Sequence, residues 1–290
     1  MKAIVIGGNG QLGSDLVLEC QKRGWETRAL THEQIQVEDA DSVRRAFQDA
    51  SPDVVFNTAA FHNVPRCEED PSRAFAVNAL GALNVARAGE KYGAVTVYYS
   101  TDYVFDGVKC SPYAEEDRPN PLNVYGNTKL SGEYYALNNT SRGLAVRISG
   151  IYGRVPSRAK GGNFITTMIK AAHDKPEVRV VNDEILSPTP TTEIARASAD
   201  LVESGATGLF HVVSEGECAW YEFARVIFDT LGLATPLLPC RVLEFPSAVR
   251  RPSYSALNNA GMRALGLTPL PHWRDSLLRF LKDNRAGLNV

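Results

Sequence analysis

Cysteine is sparse and scattered in this 290-residue sequence: Cys20, Cys67, Cys110, Cys218 and Cys240 are odd in number and form no C-x-x-C pair. That pattern excludes a disulfide framework and a cysteine zinc site, and it leads us to expect reduced thiols in a cytoplasmic protein. A surplus of basic charge is missing too, since 31 Lys and Arg stand against 33 Asp and Glu. There is thus no electrostatic footprint for nucleic acid or an anionic membrane, and neither is expected as a partner. No segment approaches the length of a membrane span, and the apolar stretch of the opening MKAIVIGGNG is too short for a signal peptide. His62, His173, His211 and His272 show no ligand spacing and read as structural histidines. No internal repeat or low-complexity tract interrupts the chain.

What is present is alternation. Short apolar strands at 2–6, 26–30, 53–60, 94–100 and 144–149 are separated by helical patterns at 12–24, 41–50 and about 71–92, and by a helix carrying Tyr125. Strands alternating with helices predict βαβ units and an α/β fold with a doubly wound parallel sheet of Rossmann type. Beyond residue 150 the rhythm loosens. Polar or irregular stretches at 155–163 and 244–255 flank helices near 163–173, from 191 and at 219–231, and strands at 178–182 and 209–213. We therefore expect a dinucleotide-binding domain over 1–150. Residues 151–290 would form a smaller substrate lobe over the open end of the sheet, with some segments returning to it.

GGNGQLG at 7–13 places Gly7, Gly10 and Gly13 directly after the first strand and at the opening of the first helix. Glycines there let the backbone approach a pyrophosphate, whose charge sits against the helix N-terminus. A carboxylate for an NAD ribose would close the second strand, but Thr31 and His32 stand there instead. NADP(H) is accordingly favoured, with NAD(H) open, and His32 or Arg28 could meet a 2′-phosphate.

The fourth strand ends in Ser100, Thr101 and Asp102, at the same crevice. Ser100 and Asp102 could equally bond the local turn. VYGNTKL at 124–130 puts Tyr125 and Lys129 on one helix face. A lone Y-x-x-x-K is a weak motif, but beside the strand-end hydroxyl it predicts a proton donor. An ammonium at Lys129 would lower the Tyr125 phenol from its usual value of about 10, fitting it to protonate a ketone as it is reduced.

The glycine loop, STDYVFDG and PLNVYGNTKL resemble the extended short-chain dehydrogenases/reductases, in particular the dTDP-4-dehydrorhamnose reductase branch. NTAAF, CEEDPSRAFAVNALG, RISGIYG, VVNDEILSPTPT, GLFHVVSEG and RRPSYSAL carry the resemblance nearly end to end. It implies NAD(P)H-dependent reduction of dTDP-4-dehydro-L-rhamnose in dTDP-rhamnose biosynthesis. Tyr125 would donate the proton, Lys129 would hold the nicotinamide ribose, and Thr101 would polarise the carbonyl. It also implies cofactor contacts from Gly7, Gly10, Gln11, Leu12, Gly13, Ala59, Ala60 and Phe61, and sugar contacts from Val64, Thr101, Asp102, Tyr103 and Gly150. A magnesium-bound homodimer occurs in some members, but no Mg2+ ligands are legible here. Pro65 stands in place of a usual aspartate, Gly150 of a tryptophan, Glu184 of a glutamine, Leu186 of a glycine and Gln36 of an acid. A reductase for a different nucleotide deoxysugar is therefore one alternative. Another is a non-catalytic dinucleotide-binding subunit like the methionine adenosyltransferase beta subunit, against which the intact Thr101, Tyr125 and Lys129 argue.

Overall fold

The computed structural model describes residues 1–157, 161–245 and 249–288. Its first half runs β1 (Lys2–Ile6), α1 (Gln11–Lys22), β2 (Glu26–Leu30), α2 (Ala40–Ala50) and β3 (Val54–Asn57). There follow α3 (Val64–Glu69), α4 (Pro71–Phe75), a π-helical turn (Ala76–Leu80), α5 (Gly81–Tyr92), β4 (Val95–Thr101), α6 (Val124–Asn138) and β5 (Gly143–Ile148). The second half adds α7 (Phe164–Asp174), β6 (Val178–Val181), β7 (Ile185–Leu186), α8 (Thr191–Glu203) and β8 (Gly208–His211). It ends with β9 (Cys218–Ala219), α9 (Trp220–Leu231), β10 (Leu237–Cys240), α10 (Ala260–Ala264) and α11 (Trp273–Asn284).

Six strands make one parallel sheet in the order β2-β1-β3-β4-β5-β8. The fold class is the one the alternation predicts. Strands β3, β4 and β5 are buried along their whole length, as strands covered by helices on both faces must be. Alternate residues serve opposite faces. Val5, Phe56, Val97 and Val146 pack with Leu12 and Leu16 of α1 and Ile194 and Leu201 of α8. Ile4, Ile6 and Val55 pack with Val43 and Phe47 of α2 and Val85 of α5. A second core joins α7, α9 and α11 through Tyr152, Ile165, Phe223, Ile227, Leu277 and Phe280.

Chain direction reverses between β1 and β3: the chain steps from β1 outward to β2 and returns to β3 on the other side. A crevice opens at the carboxyl ends of strands at such a switch point. The helix read at 71–92 is continuous but carries the π turn, and the strand read at 53–60 ends at Asn57, so Thr58–Phe61 leave the sheet for the crevice. The sequence reading missed α3, α10, α11 and the short strands β7, β9 and β10; β6, read at 178–182, pairs with β10, and β7 with β9, outside the main sheet. Parts of the stretches at 155–163 and 244–255 lie outside the described residues.

Candidate active site

A cavity of about 830 Å³ runs across these strand ends from Gly7 to Gly150. At one end lie Gly7, Gly10, Gln11 and Leu12, with the α1 N-terminus opening on the space. Gly10 provides no side-chain cap for α1, so the helix's first N–H groups face the cavity without an internal acceptor. Gln11 Nε2 is buried with no hydrogen-bond partner among the described residues. Unfilled donors beside a helix N-terminus fit a phosphate-bearing ligand. Gly13 does not line the space. A Cβ there would lie 2.1 Å from the Gly7 carbonyl oxygen, so Gly13 lets α1 pack against the loop rather than meeting a ligand.

Ala59, Ala60 and Phe61 form one wall, and Asn78 holds it in place. The Asn78 side chain accepts from Phe61 N at 2.8 Å and donates to Phe61 O and Thr128 Oγ1 at 3.0 Å each. Its carbonyl accepts the Tyr98 hydroxyl at 2.8 Å. Asn78 lies within the π turn, a feature that frees backbone groups and often marks functional sites. The sequence reading did not single it out; the wider π spacing is invisible in residue types.

His32 reaches the cavity, whereas Arg28 lines a separate polar recess. Gln36 lines that recess too, and the acid that meets the cavity is Glu38, paired with Arg73 at 2.8 Å. The absence of an acid directly after β2 is thus offset by one from the following loop, a pairing that only the fold brings together.

Thr101, Tyr125 and Lys129 all line the central part, with Ser100, Asp102 and Tyr103. Asn123 caps α6 by accepting from Gly126 N at 2.8 Å, which fixes where the Tyr125 face begins. Asp102 accepts hydroxyls from Thr101 at 3.0 Å, Ser149 at 2.9 Å and Ser255 at 2.6 Å, tying β4 to β5 and to the chain's last third. It holds more than the local turn. Burial raises its carboxyl above the ordinary range, against the pull of those hydroxyls.

One expectation is corrected. Tyr125 is raised, not lowered: burial is the main cause, the charge of Asp102 adds to it, and a hydrogen bond with Thr101 opposes it. Burial pulls Lys129 down to about 7, against the attraction of Glu133. The burial penalty on the phenolate therefore outweighs any lowering by the Lys129 charge. Lys129 Nζ sits 4.1 Å from the centre of the Tyr98 ring, whose face favours its charged form.

Behind this group lies a charged network that the sequence reading did not foresee. Ser100 donates to Glu133, which binds Arg147 through two contacts of 2.8 and 2.9 Å. Arg147 Nη1 lies 3.4 Å from His211 Nε2, and His211 Nδ1 lies 3.1 Å from the Tyr113 carbonyl. Burial and Arg147 lower His211 to about 3, so its imidazole is neutral: Nδ1–H donates to Tyr113 and Nε2 accepts from Arg147.

At the far end stand Val64, Gly150, Glu184 and Leu186. Pro65 is exposed in the first turn of α3 and does not line the cavity, so its replacement of an acid does not reshape this wall. Gly150 has φ +52°, and a Cβ on it would lie 2.6 Å from Leu186 Cδ1. Leu186 thus occupies the space a side chain at 150 would need. His62 bonds Ser157 Oγ at 2.9 Å and also lines the cavity. Among the described residues no cluster of three or more acidic, His or Cys side chains is placed to hold a metal ion.

The model of the RmlD substrate binding domain matches residues 1–286. The chain belongs to the dTDP-4-dehydrorhamnose reductase family. It is 38% identical to the spore coat polysaccharide biosynthesis protein SpsK of Bacillus subtilis, over 99% of each chain. It is 36% identical to a dTDP-4-keto-6-deoxy-D-glucose reductase of Streptomyces niveus, over 94% of each. Of solved structures in the family, the dTDP-4-dehydrorhamnose reductase of Bacillus anthracis in complex with NADP superimposes with a TM-score of 0.92. That enzyme is 33% identical, with 97% of this chain and 99% of that one covered.

Proposed function

We propose that the protein is a nicotinamide-dependent reductase of a 4-keto-6-deoxy nucleotide sugar, with dTDP-4-dehydro-L-rhamnose as substrate and dTDP-L-rhamnose as product. The observation that carries this reading is that Thr101, Tyr125 and Lys129 face the same cavity as the glycine loop. Within it, segments of residues 1–150 hold the dinucleotide, and segments of 151–290 close over the sugar. Gly7, Gly10, Gln11 and Leu12 meet the phosphates, and Ala59 to Phe61 line the remainder. The NADP bound to the Bacillus anthracis relative supports NADP(H). Glu38 and Arg73, ion-paired with each other, both line the cavity, where Arg73 would turn to a 2′-phosphate and Glu38 to a free ribose hydroxyl.

When bound, a reduced nicotinamide supplies the hydride that the carbonyl carbon takes up. The chain's own part is the proton. Tyr125, held protonated by burial, gives its phenolic hydrogen to the oxygen of the former carbonyl. Thr101 turns its hydroxyl from Asp102 towards that oxygen, and protonated Lys129 stabilises the phenolate left behind. The test is turnover of purified protein with NADPH and NADH on dTDP-4-dehydro-L-rhamnose and a small panel of other 4-keto nucleotide sugars. No oxidation of either cofactor with any of them overturns the reading. A second reading, a different deoxysugar, draws on the wall made by Gly150 and Leu186 and on the name of the Streptomyces niveus relative. The same panel separates the two.

A further inference from the structure

Among the described residues four acidic side chains are buried: Asp15, Asp102, Glu133 and Glu184. Three have their partners inside the protein. Asp15 accepts from Thr191 at 2.5 Å and Arg154 at 3.5 Å, Asp102 accepts three hydroxyls, and Glu133 holds Arg147 and Ser100. Glu184 is the exception. It is 7% exposed, it lines the cavity, and its Oε1 has no hydrogen-bond partner among the described residues. A buried acceptor left unfilled costs about 1–3 kcal/mol, so the position calls for a donor from a ligand.

Its placement is rigid. Glu184 immediately precedes β7, whose Ile185 donates to Ser253 O at 2.8 Å and accepts from Ser255 N at 2.7 Å, while β7 also pairs with β9. With Asn182 N donating to Cys240 O at 2.9 Å before it, the backbone on both sides holds the carboxyl at the cavity end that also holds Gly150 and Leu186. Burial raises the Glu184 carboxyl, Arg251 opposes that shift, and Asp183 and Asp102 each add less to it than Arg251 takes away. The unfilled carboxyl oxygen at this cavity end offers an acceptor to a hydrogen-bond donor.

We infer that Glu184 is a specificity-determining residue that accepts a hydrogen bond from a ring hydroxyl of the sugar, and so fixes how the ring is turned towards Tyr125. This rests on the nucleotide-sugar reading above. A ring hydroxyl away from the reacting carbon is held alike in the ground state and the transition state, so losing its partner raises KM more than it lowers kcat.

The experiment compares the parent, Glu184→Ala and Glu184→Gln by steady-state kinetics, and by calorimetric binding of dTDP and of dTDP-L-rhamnose. Glu184→Ala is expected to raise KM about tenfold or more, as loss of a hydrogen bond to a charged group does. It should weaken dTDP-L-rhamnose to a similar degree while leaving dTDP unchanged. Glu184→Gln, whose amide oxygen still accepts, should recover part of the loss. Unchanged KM and product affinity in Glu184→Ala overturn the inference, as does an equal loss for dTDP and dTDP-L-rhamnose. If Glu184→Ala fails to fold, Glu184→Gln decides: a KM at or below the parent's overturns the inference, and a KM between about twofold and tenfold higher supports it. A parent that binds neither nucleotide and reduces no keto sugar removes the functional reading itself, and the inference with it.

Discussion

The two ends of the cavity are built in different ways. At the Gly7 end the wall is largely backbone: a glycine loop, the start of α1, and the Thr58–Phe61 turn, where Thr58 Oγ1 donates to Ile6 O at 2.6 Å. At the Gly150 end the wall is side chains from distant segments, joined by Asp102 to Ser149 and Ser255 and shaped by Leu186 against Gly150. A backbone site recognises what all dinucleotides share, and it tolerates sequence change provided the glycines remain. A side-chain site recognises one substituent pattern, and a single exchange redraws it. The centre, with Thr101, Tyr125 and Lys129, belongs to neither end, and removing the Tyr125 hydroxyl there should strike the chemistry while sparing both binding halves.

The largest expected effect is therefore at Tyr125. Tyr125→Phe should lower kcat by about 10²–10⁴-fold, the usual contribution of general acid catalysis, while cofactor affinity and melting temperature stay near the parent's. A variant with parental turnover would remove Tyr125 from the mechanism.

Lys129 sharpens the same point through pH. Its ammonium is present below the lowered value of about 7 and is lost as pH rises through it. Stabilisation of the phenolate needs the charged form. Consequently kcat/KM for reduction should fall by about tenfold per unit above that pH, because it reports the free enzyme's groups. Lys129→Met should be slow throughout and lack the step. A parent profile that stays flat from acid to well above neutrality would show that the ammonium does not serve the transition state.

Asp102→Asn tests whether the far end is held from the centre. The amide cannot accept from Thr101, Ser149 and Ser255 as the carboxylate does, and a broken buried set of this kind costs about 1–3 kcal/mol. KM for the nucleotide sugar should rise and the melting temperature fall, with cofactor affinity unchanged. Because burial raises Asp102's carboxyl, the parent takes up a proton there above the ordinary carboxylate range. Because the folded state binds that proton more readily than the unfolded chain, the stability gap between parent and variant should then widen as pH falls through the raised value. A gap that narrows towards acid would contradict a carboxyl raised by burial.

The sheet and the Gly7 end were legible because their signals are local. Glycine spacing, strand–helix alternation and an i, i+4 pair each lie within one short segment, and each appears in the structure where the sequence puts it. What escaped depends on contacts between segments far apart. The carboxylate meeting the cavity is Glu38, reached through a loop and paired with Arg73 35 positions later. Lys129 owes its lowered value to burial beneath β4, which no spacing reveals. Pro65 and Gln36, marked as departures from the family pattern, prove to lie off the cavity, whereas Glu184 and Leu186, marked in the same way, line it. Motif comparison finds that a residue differs; only packing tells whether the difference faces a ligand.

The smallest expected effect concerns Gly150, where a tryptophan is usual in the family. Restoring that indole alone is not a clean test of the sugar wall. Residue 150 has φ +52°, a left-handed conformation that costs a residue with a Cβ about 1–2 kcal/mol. The first added carbon already meets Leu186 Cδ1 at 2.6 Å and Pro188 Cα at 3.1 Å. Gly150→Ala isolates these terms. The backbone strain remains whatever the neighbours do, whereas the contact with Leu186, at the end of a flexible side chain, is relieved by a rotamer change or by trimming the leucine. Gly150→Ala should therefore lower stability by about 1–2 kcal/mol, or a few degrees in melting temperature for a chain of this size. Leu186→Ala alone opens a cavity and is destabilising as well. Combined, the two should cost less than the sum of the singles, by about 0.5 kcal/mol or more, since the methyl of one fills part of the space left by the other. Thermal unfolding of the parent, both singles and the double gives that coupling directly. Strict additivity would show that Leu186 does not occupy the space at position 150, and the far wall would have to be redrawn around Pro188.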